Sequence, residues 1–195
     1  MKIYFLFVFT CLLSINSNGQ NFDIDLLENI NLKRNKAFDG EMKFVSNSVL
    51  PLTVGTPIIL LTSGWISKNK ENRQKGLYVL GSAASCILIN TGLKYAIGRK
   101  RPYISHPTID NVVMENTPSF PSGHTSTSFN LAASMSLIYP KWYVAVPSFL
   151  WAGTAAYSRM HLGAHYPIDV FGGIVVGIGS AYLSHYLHKK YFTKK

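Results

Sequence analysis

The chain has 195 residues, 47% of them hydrophobic and 14% charged, against about 25% charged in an ordinary soluble domain. That length holds one domain once any targeting segment is set aside, and the shortage of charge points toward lipid. The formal charge of +10 comes from lysines and arginines in short clusters between apolar runs, which read as membrane-flanking residues and exclude the continuous basic stripe of a nucleic-acid binder. Cys11 and Cys86 each lie in an apolar run, form no C-x-x-C pair or disulfide framework, and are assigned no chemistry.

Residues 1–19 carry the pattern of a secretory signal: Lys2, apolar residues from Ile3 to Ile15, then Ser17, Asn18 and Gly19 ahead of Gln20. An uncleaved first membrane helix is the alternative, although about thirteen apolar residues fall short of the roughly twenty a span needs. Residues 20–48 are polar and hold five of the nine acidic side chains, with Leu26, Leu27, Ile30 and Leu32 at near-helical spacing. They predict a short amphipathic helix on the outer surface.

Five apolar runs follow, at about 49–66, 77–97, 123–139, 142–157 and 168–187. They predict an all-α, membrane-embedded helical bundle of five spans after a signal peptide, or six if the N-terminal segment is retained. The third and fourth runs are short and rich in Ser, Thr and Ala, so buried helices of a soluble all-α protein are the competing architecture. Lys68, Lys70, Arg73 and Lys75, then Lys141, then the lysines after His188 fall in alternate connections. Basic residues prefer the cytoplasmic side, so loops 98–122 and 158–167 are expected to face outward. Gly173, Gly177 and Ala181, four residues apart, suit close helix contact in lipid.

Both outward loops are loaded with chemistry. Lys94 and Arg101 are seven apart and share one helix face, about 10 Å along its axis. Lys94 lies within the second apolar run, where a buried cation wants an anion; Arg99 and Lys100 point elsewhere and read as a solvated helix end. Pro121-Ser122-Gly123-His124 stands directly before the third run, where a helix N-terminus can hold phosphate oxygens on its free N–H groups. In the last connection Arg159, His161 and His165 precede Pro167, with Asp169 in the first turn of the last helix. A carboxylate there is favoured by the helix dipole and can hold one imidazole nitrogen, leaving the other unprotonated.

Taken singly, each feature also reads as a capped turn or a helix end. Together, Lys94, Arg101 and Arg159 with two histidines and a carboxylate can clamp a phosphoryl group, attack it and protonate its leaving oxygen. Metal binding by His124, His161 and His165 is disfavoured because no second carboxylate accompanies Asp169 and cations crowd the site; His161 reads as a rim or packing residue. No metal and no cofactor are called for.

The pattern K-x6-R-P, then P-S-G-H, then S-R-x5-H-x3-D is similar to the three-part signature of the type 2 phosphatidic acid phosphatase family, in its membrane branch. Lys94, Arg101, Pro102, Pro121 to His124, Ser158, Arg159, His165 and Asp169 match it, with intervals of 18 and 33 residues between the parts. The resemblance implies His165 as nucleophile, Asp169 as its orienter and His124 as general acid. Lys94, Arg101, Ser122, Gly123 and Arg159 are implied to bind phosphate. It also implies a phosphatase domain at 49–190 in a bacterial inner membrane, acting on a lipid phosphate monoester or pyrophosphate through a phosphohistidine, with its site toward the periplasm. No obligate protein partner is implied. The family also contains soluble periplasmic acid phosphatases, the first alternative, and vanadium haloperoxidases, for which the chain is short. A non-enzymatic transporter or membrane scaffold would explain the spans and leave the charged constellation without a purpose. Head-group choice falls to residues 103–120 and 20–48, which carry no readable code.

Overall fold

The computed structural model describes residues 17–192, so the signal-peptide reading lies, up to residue 16, outside the described residues, as does Cys11. Helix follows helix, with no strand among the described residues. The first, α1, is Ser17–Asn31, followed by a 3-10 turn at Lys36–Phe38 that is capped by the Asn35 side chain. Helix α2, Asp39–Ile66, opens with Asp39 and Glu41 in its first turn, where acidic groups meet the positive end of the helix dipole. Helix α3, Lys70–Ile97, starts where the Asn69 side chain accepts the Asn72 N–H at 3.1 Å, and stops at Gly98, whose φ of 64° turns the chain out of the helix. Short α4 is Pro102–Ser105, and α5 (Gly123–Ile138), α6 (Trp142–His161) and α7 (Pro167–Phe192) complete the order.

Two boundaries differ from the sequence reading. Helix α2 crosses residue 48 without a break, and residues 70–76 are the first turns of α3 and not a loop. An apolar run marks where a helix meets lipid. Where the helix begins is set by caps and end charges, which here lie ten and seven residues earlier.

Among the described residues three helical stretches are long and apolar enough to cross a membrane: Lys36–Ile66, Lys70–Ser105 and Pro167–Tyr191. Helix α5 has 16 residues, about 24 Å, and packs against α7, α6, α3 and α2. Its central place explains its composition. A helix enclosed by four neighbours needs small residues and internal hydrogen bonds more than a lipid-compatible surface. Asn130 donates to Ser82 and Ser180, each at 2.9 Å, and the Ser82 and Ser134 hydroxyls lie 3.0 Å apart. The Tyr78 hydroxyl donates to the Ala181 carbonyl at 3.1 Å. Gly173 and Gly177 face α5 so closely that a Cβ on Gly173 would stand 2.8 Å from the Ser122 carbonyl oxygen. Outside, Leu50, Ile59, Ile66, Leu88, Leu150 and Phe171 are all more than half exposed, the surface of a bundle solvated by lipid tails.

The turns at the two ends differ as the sequence suggests. At one end Lys75 lies over the Tyr139 ring, 4.3 Å from its centroid, joining the start of α3 to the α5–α6 turn. At the other, the connection before α5 meets that between α6 and α7: the Val112 N–H donates to the Leu162 carbonyl at 3.1 Å.

Candidate active site

At this second end the helix termini deliver six charged or titratable groups to one place. Lys94 sits in the last turn of α3, 7% exposed, and donates to the Pro118 carbonyl at 2.5 Å. Arg101, 1% exposed, is the N-cap residue of α4. Its Nε donates to the Thr117 carbonyl at 2.7 Å and its Nη1 to the Ala164 carbonyl at 3.1 Å, locking the guanidinium between the two loops. Arg159 comes from the last turn of α6, 2% exposed, with Nη1 on the Ser46 hydroxyl at 2.5 Å. Its Nε is buried without a partner.

His165 is fully buried in the turn before α7. Nη1 of Arg101 lies 3.2 Å from its Nε2. A guanidinium can only donate, so Nε2 carries the lone pair and Nδ1 the proton. That proton faces the Ser119 hydroxyl, 3.4 Å away, which in turn donates to Asp169 Oδ2 at 2.5 Å. Asp169 Oδ2 itself is 3.6 Å from Nδ1, beyond a direct hydrogen bond, so Ser119 bridges the pair. Burial above all holds the imidazole down to about 4, helped by Arg101 and Arg159 and opposed by Asp169. It is therefore neutral, with an unprotonated Nε2, at physiological pH.

The group these side chains surround was not singled out from sequence. Glu115 accepts from Arg101 Nη2 at 2.7 Å and from Arg159 Nη2, and stands 3.7 Å from His124 Nδ1 and 4.0 Å from His165 Nε2. Tyr103 fixes its backbone from both sides, donating to its carbonyl at 2.9 Å and accepting its N–H at 3.2 Å. Burial opposes its charge, but Arg159 and Arg101 overcome this and hold the carboxyl down to about 2. Two arginines and two histidines thus converge on one carboxylate of the chain itself. Beside it opens a cavity of about 360 Å³, with Lys94, Gly123 and His124 on its polar side and Leu50, Val54 and Ile87 on its apolar side.

All eight sequence-selected residues lie at this end, in differing contact with its centre. His124, in the first turn of α5, has a third of its side chain exposed and faces the cavity. Ser122 is buried, giving its N–H to the Asp169 carbonyl at 3.0 Å and its hydroxyl to Thr125 as an acceptor. Gly123 lines the cavity near Lys94, whose Cε would lie 3.9 Å from an added Cβ. His161 packs away from the centre, with Nε2 2.8 Å from Asp39.

Two expectations are corrected. Arg99 is not a solvated helix end: it donates to Asp169 Oδ1 and to Asp23 Oδ2, each at 2.6 Å, and stacks 3.9 Å over the Tyr166 ring. The turn at Gly98 swings it back over the site, which helical spacing from Lys94 cannot anticipate. A second carboxylate also accompanies Asp169, since Glu115 lies within reach of both histidines. It is tied up by arginines, and among the described residues no group of three His, Cys, Asp or Glu is gathered to hold a metal.

The chain is 28% identical over 144 residues to the undecaprenyl-diphosphatase BcrC of Bacillus subtilis, 74% of this chain and 72% of that one. It is 32% identical over 109 residues to the lipid A 4'-phosphatase of Bacteroides thetaiotaomicron, 53% of this chain and 48% of that protein. The fold matches a transmembrane PAP2 type phosphatidylglycerolphosphate phosphatase from Bacillus subtilis, with a TM-score of 0.77 at 22% identity over 100% of this chain and 98% of that one. Residues 75–192 match the model of the PAP2 superfamily, and the chain belongs to that superfamily.

Proposed function

We propose, from that membership as premise, that the protein hydrolyses a lipid phosphate monoester or pyrophosphate through a phosphohistidine. The observation that carries the reading is the convergence of Arg101, Arg159, His124 and His165 on the Glu115 carboxylate. A substrate phosphate takes that carboxylate's place, with Lys94 close by, so that its negative oxygens meet fixed positive charge. Nε2 of His165 attacks phosphorus, the bond from phosphorus to the lipid oxygen breaks, and His124, which takes up a proton from solvent as the phosphate's negative charge settles beside it, gives that oxygen the proton. Asp169, through Ser119, steadies the Nδ1–H of the phosphorylated ring. Water then attacks the phosphohistidine, His124 takes up the proton, and inorganic phosphate leaves as Nε2 is restored.

A lipid substrate is supported by the apolar side of the cavity and by the lipid phosphatases among the relatives. The finer topology belongs to this proposal as well: a signal peptide or first span in residues 1–19, an outer polar segment to residue 48, and a catalytic bundle at 49–190 with five spans, two of them the shorter α5 and α6. The lysine distribution supports a bacterial inner-membrane location with the site toward the periplasm. Cysteine replacing Met114, 87% exposed beside the site, should then react with an impermeant thiol reagent in intact spheroplasts.

The chemistry is tested with purified protein and radiolabelled lipid phosphates in the presence of EDTA. Turnover should persist, vanadate should inhibit, and an alkaline quench should trap label on the protein. His165→Ala should abolish both turnover and trapped label while vanadate still binds. Label trapped on the His165→Ala protein would overturn the nucleophile assignment.

A further inference from the structure

We propose that Asp23 is a positioning residue of the active site: by sharing Arg99 with Asp169, it keeps the Asp169 carboxylate charged toward His165. The proposal rests on the phosphatase reading above and reaches a helix that lies outside the matched residues 75–192.

Helix α1 presents Asp23, Leu27 and Asn31 at four-residue spacing, hence on one face, and these are 2%, 0% and 0% exposed. Leu27 packs with Ile109 and Tyr166. Asn31 donates to the carbonyls of Asp110, at 3.1 Å, and His161, at 2.9 Å, and accepts the Asp110 N–H at 2.9 Å. The helix is therefore anchored to both site loops by neutral groups. Asp23 adds something different. Its Oδ1 accepts the Ile168 N–H at 2.9 Å, in the first turn of α7, and its Oδ2 takes Arg99 at 2.6 Å.

The electrostatic consequence follows from who else faces the pair. Arg99 touches Asp169 at 2.6 Å, and with no other anion it would cancel much of the charge that Asp169 offers His165. The neighbouring cations are Arg101 and Lys94 from either end of the turn after α3, and Arg159 from α6. Glu115 is held between two of these. His124 from α5, Tyr166 before α7, His106 packed edge-on to Tyr166 and Tyr103 against the Glu115 backbone are further titratable groups at this end. Asp23 is the anion α1 contributes, and it pairs with Arg99 alone. Two carboxylates on one guanidinium leave a net negative charge beside His165. That charge stabilises the ring when it becomes cationic on phosphorylation.

The test replaces Asp23 with Asn and, separately, Arg99 with Gln, in the full chain in detergent. Asn retains the acceptor for Ile168 and the fit of the helix, so the first change removes the charge and the hydrogen bond to Arg99 while leaving the helix anchored. The acidic limb of kcat/KM on dioleoyl phosphatidate reports protonation of His165 in the free enzyme. Losing the anion at 23 disfavours the imidazolium, so the limb should move to lower pH and kcat should fall by about tenfold. Losing the cation at 99 should move the limb to higher pH. Asn31→Ala, which loosens α1 without altering charge, should lower stability and leave the limb where it is. Movement of both limbs in one direction, or none, would overturn the proposal in favour of a merely structural anchor. The same opposed movement can be followed in the NMR titration of the His165 ring, which needs no turnover. A protein inactive on every phosphate ester would thus break the phosphatase reading while the role of Asp23 is still decided.

Discussion

The bundle buries polar groups in two regions, by opposite means. Between α3, α5 and α7 they are neutral: Asn130, Ser82, Ser134, Ser180 and Tyr78 satisfy one another at 2.9–3.4 Å. At the end that holds the site they are charged: Arg101, Arg159 and Asp169 are no more than 2% exposed and each is paired with an opposite charge. A neutral hydroxyl or amide needs only geometry to be satisfied, whereas a buried charge needs a counter-charge or it neutralises. The interior network can therefore serve helix association alone. The charged end gathers Arg99, Arg101 and Arg159 around Asp23, Asp169 and Glu115, and in the proposed function it is the Glu115 carboxylate that a substrate phosphate replaces.

That contrast breaks first at His124, where the expected effect is largest. A lipid alcohol leaves poorly without a proton, while nitrophenolate leaves readily. His124→Ala should slow hydrolysis of a lipid phosphate by about 10²–10⁴-fold, the range of positioned acid catalysis, and harm p-nitrophenyl phosphate far less. Equal losses in kcat/KM on the two substrates would reduce His124 to one more member of the anion clamp.

Glu115 sharpens the comparison. Because its carboxyl is held down to about 2, it stays ionised throughout the working range, and acidification cannot vacate the clamp. Glu115→Gln removes the competing charge and should tighten vanadate binding by about tenfold, as expected when a competing state is withdrawn. Isothermal titration measures it, and an unchanged Kd would mean that the substrate's phosphate binds elsewhere.

The smallest effect is expected in the neutral region. Asn130→Ala leaves Ser82 and Ser180 without their shared donor and should cost about 1–3 kcal/mol, read as a lower Tm in detergent with kcat unchanged. A collapse of kcat at unchanged Tm would join the two regions functionally and defeat the distinction.

By itself the sequence determined the helices, their order and the signature residues at one end of the bundle. Apolar runs and small-residue spacing are local consequences of lipid contact and of backbone approach, so they can be read along the chain. The central position of α5 was harder to read. Its Ser- and Thr-rich composition resembles that of a soluble helix until four neighbours are seen to enclose it.

Tertiary structure alone decided who partners whom. Glu115 lies 14 residues from Arg101 and 44 from Arg159, Arg99 reaches Asp23 across 76 positions and Asp169 across 70, and Ser119 bridges to Asp169 across 50. Such pairings have no periodicity. They are made where helix ends meet, at Gly98 and at the turn before α7, and the direction the chain takes there depends on the packing of the whole bundle.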